Sequence, residues 1–170
     1  MGMKAEIEKL IEYVHKQLDY SQYDSTVIRD NTNCYAHAIG GLYPCIEIYR
    51  IGAISGSKPI NQKYFSENEM KTLFLQDMEV LKLGVDEIKI HSKEECLSKI
   101  KTIKLGENQH LIFLFAIYMG NGQLWDFHFW RYDSKGFSEK RKTYKPIFID
   151  EPSRSWIQSM KLIGLFRITK

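Results

Sequence analysis

Two short segments of the chain carry side chains that could do chemistry together. Residues 33–38 read Asn-Cys-Tyr-Ala-His-Ala, and residues 126–133 read Asp-Phe-His-Phe-Trp-Arg-Tyr-Asp. The first supplies the thiol of Cys34, and the second supplies the imidazole of His128. Because an imidazole can take the proton of a thiol and leave a nucleophile, this pair predicts acyl transfer through a cysteine.

Cys34 follows a polar loop and begins a short predicted helix over residues 34–39, which Gly40-Gly41 ends. The unpaired N–H groups and the dipole at a helix start favour a thiolate over a thiol. The same N–H groups could hold an oxyanion, and Asn31 or Asn33 could add a side-chain donor.

His128 lies in a segment, residues 123–132, that alternates like a β-strand. An imidazole held between aromatic neighbours keeps one orientation, as a general base must. Strand alternation predicts one face, expected in the core, made of Trp125, Phe127 and Phe129. The other face carries His128 together with Leu124, Asp126, Trp130 and Tyr132. Trp130 is among the aromatic residues that could line a substrate groove.

A carboxylate beside His128 would orient the imidazole, and three candidates follow from the strand pattern. If the hairpin turns at Ser134-Lys135, Glu139 shares the face of His128 and is diagonally displaced from it. Asp126 lies on that face one pleat away, and a later return strand could bring Asp150 alongside. The sequence leaves all three open.

The two segments resemble those of papain-like cysteine hydrolases, most closely the small bacterial NlpC/P60 and CHAP domains. The resemblance lies in an early Asn-Cys-Tyr-Ala at a helix start, then helices, then a β-meander that carries the histidine. Residues 126–136 are similar to a pattern of uncharacterised bacterial proteins of this type, Asp-[Phe/Tyr]-His-[Phe/Trp]-[Tyr/Trp]-Arg-x-Asp-x-x-Gly. The resemblance implies that Cys34 is the nucleophile and His128 the general base. Such proteins often continue into Trp-Ser-His-Lys-x-Gly, whereas Glu139 stands here in place of that histidine.

The function that the resemblance implies is a cysteine peptidase, amidase, deamidase or acyltransferase without an organic cofactor. Its substrate would be a peptide or protein, such as a cell-wall peptide or a protein inside another cell. The alternative is a catalytically inactive papain-like module that acts on a protein partner as a binding, effector or inhibitor domain.

Two further patterns have simpler interpretations. Cys34-x-x-His37 has the spacing of two zinc ligands, but the second ligand pair of a structural zinc site is missing. The densest basic cluster, Lys140-Arg141-Lys142 with Lys145, is interpreted as a solvated strand or loop. No extended basic stripe indicates a nucleic-acid partner.

Composition excludes several classes. The 170 residues carry a net charge of +3 and are 44% hydrophobic, which suits one globular domain over residues 1–170. The longest apolar run, residues 111–119, is too short for a membrane-spanning helix of about 20 residues. No signal-peptide pattern is visible, and three cysteines make no disulfide framework. The expectation is a cytoplasmic protein, with leaderless export or delivery into another cell as the alternative.

The order of the predicted elements favours an α+β fold in which N-terminal helices pack on an antiparallel sheet, as in papain-like proteins. Capping boxes at Ser66-x-x-Glu69 and Ser92-x-x-Glu95 each predict a helix start. A helix is also predicted over residues 3–19 and a loop over 20–33. The predicted strands are 45–54, 85–90, 110–119, 123–132, 137–142, 146–150 and 161–169.

Overall fold

The computed structural model describes residues 2–59, 62–64 and 66–170 and has the α+β organisation that the sequence predicts. Its α-helices in those ranges are α1 Met3–Val14, α2 Thr26–Asp30, α3 Cys34–Ile39, α4 Glu67–Val80, α5 Lys93–Ile100 and α6 Pro152–Ser155. Its strands are β1 Gly84–Glu87, β2 Gln109–Tyr118, β3 Leu124–Asp133, β4 Gly136–Glu139, β5 Ile147–Phe148 and β6 Met160–Thr169. None of these helices is long and apolar enough to cross a membrane.

The strands form one antiparallel sheet in the order β1-β6-β2-β3-β4-β5. Strands β2 to β5 are the predicted meander, and β6 returns to the free side of β2. The central strand β2 is almost wholly apolar because its alternate side chains enter cores on both faces of the sheet. One core contains Leu114 and the other Phe113.

Helices α1, α3 and α4 cover one face of the sheet, and α5 covers the other. The first core joins Leu10, Tyr35, Phe74, Phe129 and Phe166. The second joins Cys96, Ile100, Phe115, Trp130 and Leu165. Each face of β3 is therefore buried along part of its length, and the face of Trp130 also enters a core.

Trp125 was expected in the core, but its side chain is 63% exposed. Ile117 pairs with Asp126 while Tyr118 pairs with Leu124, which leaves Trp125 as an extra residue in β3. Such a bulge reverses the alternation of side chains. Leu124 therefore packs against the first core in its place.

The predicted strand over 45–54 is wrong, because a 3₁₀ helix, Ile46–Ile48, is followed there by turns. The backbone donors of this segment bind the buried carboxylate of Asp77 in α4. Asp77 accepts bonds from the N–H of Gly52 at 2.7 Å and of Ser55 at 2.8 Å. It also accepts the hydroxyl of Tyr35 at 2.7 Å, and so connects α4 to α3.

Two N-terminal boundaries also differ from the prediction. Helix α1 ends at Val14, because Leu18 leaves the helix and packs with Tyr23 and Leu42 in a small third cluster. The segment 20–33, predicted as a loop, contains a 3₁₀ helix, Tyr20–Asp24, and helix α2.

The Asp77→Asn variant is expected to lose about 2 kcal/mol of unfolding free energy. Burial raises the pKa of Asp77, and its hydrogen bonds with Gly52, Tyr35 and Ser55 act against that shift. An asparagine NH₂ cannot accept, so one of the three buried donors would lose its partner. Urea denaturation at neutral pH measures the loss. The control is Asp86→Asn, an exposed aspartate in β1, and equal stability of the two variants would contradict the prediction.

Candidate active site

Cys34 occupies the first residue of α3, as predicted. The helix begins there because the Asn33 side chain caps it, accepting the N–H of Ala36 at 3.0 Å. It ends at Gly40, whose φ of 76° is the left-handed conformation that glycine adopts readily. The Cys34 side chain is half-buried and packs against the first core.

The two asparagines proposed as oxyanion donors also have structural roles. Besides capping α3, Asn33 donates its Nδ2 to the carbonyl of Tyr49 at 2.7 Å. Asn31 donates its Nδ2 to the carbonyl of Val27 at 2.9 Å, at the end of α2. Each amide NH₂ has a second N–H donor, so the assignment of Asn31 and Asn33 as oxyanion donors stays a prediction. The N–H of Cys34 at the helix start is a further candidate donor.

The side chain of Glu139 reaches His128 across the β3–β4 hairpin. Asp133 pairs with Gly136, so the turn lies at Ser134-Lys135 as predicted. This register places Glu139 Oε2 2.6 Å from His128 Nε2. The Glu139 side chain is 3% exposed and is also bound by Arg141 at 2.8 Å.

The other two carboxylate candidates do not take this position. Asp126 is exposed, and its Oδ1 accepts the N–H of Phe127 at 2.8 Å. Asp150 is also exposed and follows β5, which pairs Ile147 with Glu139 and runs antiparallel to β4. This direction carries Asp150 toward Gly136 and away from His128. The assignment of Asp150 as a site residue is therefore wrong.

Trp130 cannot contact a substrate, because it is fully buried in the second core. Its indole Nε1 donates to Glu139 Oε2 at 3.1 Å. The same carboxylate oxygen thus accepts from the indole and faces the imidazole. Trp130 fixes the position of Glu139, which corrects its predicted role in substrate binding.

The fold brings the Cys34 sulfur to His128. Burial by itself would lower the pKa of His128, but Cys34 and Glu139, each as hydrogen-bond partner and as charge, raise that pKa to about 9. Burial would likewise raise the pKa of Glu139, yet His128 and Arg141 hold it below its ordinary value. Since Nε2 of His128 faces Glu139, Nδ1 is the ring nitrogen left for the sulfur. Cys34 and Glu139 therefore both favour the charged form of the imidazole.

Lys140 is the site residue that the sequence missed. The cluster 140–142 was interpreted as solvated, but the side chain of Lys140 is fully buried. Its Nζ donates to the carbonyls of Arg29 at 2.7 Å and Thr32 at 2.6 Å, and to that of Lys142. Burial lowers the pKa of Lys140 to about 8, and the charge of Cys34 acts against the shift. The ammonium ties the end of β4 to the loop that enters α3.

His37 is engaged within the protein and is not a free metal ligand. Its Nδ1 lies 2.9 Å from the Tyr23 hydroxyl and its Nε2 lies 2.8 Å from the Ser138 hydroxyl. Burial, followed by the charges of Arg131 and Lys140, holds its pKa well below the ordinary value. Across the described residues, no three histidine, cysteine or acidic side chains gather as a metal-ligand set.

The geometry unites the two segments singled out in the sequence. Cys34 and His128 meet, and Glu139 rather than Asp126 or Asp150 lies against the imidazole. No protein-family model, curated protein or solved structure matches the chain.

Proposed function

We propose that this protein is a papain-like cysteine hydrolase or acyltransferase that acts on an amide of a peptide or protein. Cys34 is the nucleophile, His128 the general acid and base, and Glu139 the residue that positions His128. The observation that carries the proposal is the contact of Cys34 with a His128 whose pKa is raised to about 9 and whose Nε2 faces Glu139. This arrangement places a proton acceptor and the carboxylate that orients it beside the thiol, as nucleophilic catalysis by cysteine requires.

The first half of the reaction follows from the pair of Cys34 and His128. The Cys34 thiolate attacks the carbonyl carbon, a C–S bond forms, and the carbonyl electron pair moves to the oxygen. The N–H of Cys34 at the start of α3 stabilises that oxyanion. His128 then donates its proton to the leaving nitrogen, the C–N bond breaks, and a thioester remains on Cys34.

The second half releases the acyl group. His128, now neutral, takes a proton from water, and the resulting oxygen nucleophile attacks the thioester. The C–S bond breaks and the thiolate–imidazolium pair is restored. An amine in place of water would give acyl transfer. A glutamine side chain as substrate would give deamidation, and a backbone amide would give proteolysis.

The pH dependence of alkylation at each cysteine tests the proposal. At about pH 6, well below the ordinary cysteine pKa of 8.5, we expect iodoacetamide to modify Cys34 at least tenfold faster than the other two thiols. Burial raises the pKa of Cys45, and raises that of Cys96 to about 11, so these residues are internal controls. The fast reaction should disappear in the His128→Ala variant. Rates at Cys34 that match Cys45 in both proteins would contradict the proposal and favour a binding module.

A further inference from the structure

A cavity of about 830 Å³ lies near the end of α3 opposite to Cys34. Two of its wall residues bind the carbonyl of Ala38: Arg131 Nη1 at 3.0 Å and His110 Nε2 at 2.8 Å. Ala38 lies four residues after Cys34, which is about 6 Å along the helix axis. The cavity is therefore separate from the thiol site, and nothing in the proposed reaction uses it.

Cationic side chains outnumber anionic side chains on the cavity walls. The charged lining residues are three cations and two carboxylates: Arg131, Lys135, Lys170, Glu107 and Asp133. Asp133 is already engaged, because its Oδ2 accepts from Arg131 Nε and from the Tyr20 hydroxyl, both at 2.8 Å.

Arg131 is only 4% exposed. Its hydrogen bonds to Asp133 and to the Ala38 carbonyl use two of its five N–H donors, which leaves donors for a ligand. Burial, and then the charge of Arg131, lower the pKa of Lys170 to about 8, while Asp133 acts against the shift. Asp133 pairs with Arg131, and the Lys170 Nζ donates to the carbonyl of Lys16, so this one carboxylate does not balance both cations.

The wall also holds a buried polar atom that lacks a partner. His110 is 1% exposed, and its Nδ1 makes no hydrogen bond to any described residue. Burial holds the pKa of His110 well below its ordinary value, so the ring is neutral. Buried polar atoms in folded proteins nearly always have a partner. Because Nε2 donates to the Ala38 carbonyl, Nδ1 of this neutral ring is an acceptor, and a ligand with a hydroxyl or a protonated phosphate oxygen would supply the missing donor.

We propose that this cavity binds a small anionic ligand that carries a carboxylate or phosphate group. Its anionic oxygens would accept from Arg131, Lys135 and Lys170, as guanidinium and ammonium groups do for such oxyanions. The cavity volume lies within the usual range for small-molecule sites. The proposal is independent of the hydrolase function, since it concerns other residues and a ligand that is not the substrate of Cys34.

Titration of the ¹⁵N-labelled full chain with inorganic phosphate and with citrate, at matched ionic strength, tests the site. We expect saturable amide shifts in the 131–136 hairpin and the 106–110 segment, with a Kd of about 1 mM or tighter for one of the two anions. The tighter anion identifies the ligand as a phosphate or a carboxylate. Binding should weaken as the pH rises through about 8, because Lys170 then loses its charge.

The Lys135→Gln, Lys170→Gln double variant should bind at least tenfold more weakly, a change of about 1.4 kcal/mol. The matched control is Lys4→Gln, which removes an exposed lysine that does not line the cavity. The site would be refuted by shifts that do not saturate with either anion. The same shifts on addition of sodium chloride would also refute it. So would a Lys4→Gln variant whose binding is weakened as much as that of the double variant.

Discussion

The Glu139→Gln variant is expected to hydrolyse p-nitrophenyl acetate at least about 100-fold more slowly than the wild type. This activated ester acylates a nucleophilic thiolate without needing the natural substrate. Glu139 Oε2 lies 2.6 Å from His128 Nε2 and accepts a hydrogen bond from the Trp130 indole. Both groups around this oxygen are therefore hydrogen-bond donors. A glutamine would place an NH₂ group among them.

The loss follows from the tautomer of His128. A glutamine NH₂ that donates to Nε2 would force the remaining ring proton onto Nδ1, the nitrogen left for the Cys34 sulfur. A protonated Nδ1 on a neutral ring cannot accept the proton of the thiol or of water. The same change removes a charge that raises the pKa of His128. The variant should therefore keep the imidazole in place and lose its function as a base.

Asp126→Asn provides a matched control, since it makes the same chemical change on an exposed carboxylate of the neighbouring strand. Its hydrolysis rate should stay within about twofold of the wild type, as for an exposed surface substitution. The ¹⁵N shifts of the His128 ring should report the altered tautomer in Glu139→Gln alone. Similar rates in the Glu139 and Asp126 variants would show that Glu139 does not position His128.

The part of the site that could be predicted depends on short-range rules. A capping asparagine and a terminal glycine set the bounds of α3 and so the place of Cys34. The hairpin turn sets the register of β4, from which the position of Glu139 could be counted. The contact between Cys34 and His128 has no such local rule, and it was expected from the family resemblance.

The features that the sequence did not predict depend on contacts between residues that are distant in the chain. The isoleucines after Cys45 suggest a strand, but the carboxylate of Asp77 binds the backbone of that segment from another helix. Lys140 belongs to a run of three cations that looks solvated, and only the packing of α2 and the loop after it supplies the carbonyls of Arg29 and Thr32. Trp125 is displaced by a bulge that the alternation of residue types does not reveal.

The stability of the wild type relative to a His128→Gln variant is expected to fall by about 3 kcal/mol as the pH rises from below 6.5 to above 9. The pKa of His128 is raised from 6.5 to about 9 in the folded protein, so the folded state keeps a proton that the unfolded chain releases. This contribution is complete below pH 6.5 and is lost as the pH passes 9. Urea denaturation across this range measures it.

The difference between the two proteins is needed because other groups titrate in the same window. Burial lowers the pKa of both Lys140 and Lys170 to about 8, so their contributions to stability rise with pH above that value and oppose the effect of His128. His37 and His110 have lowered pKa values and act below 6.5. All four groups are present in the wild type and in the variant, and their contributions cancel in the difference.

A Cys34→Ala variant separates the two partners of the imidazole. It removes the hydrogen bond and the charge of the sulfur, while burial still lowers the pKa of His128 and Glu139 still raises it. The pKa of His128 should then lie below about 9, and the loss of stability should begin at lower pH and be smaller. Parallel stability curves for the wild type and His128→Gln would mean that His128 has no raised pKa. Identical stability curves for the wild type and Cys34→Ala would show that Cys34 does not interact with His128. Cys34 could then not be the nucleophile of the proposed reaction.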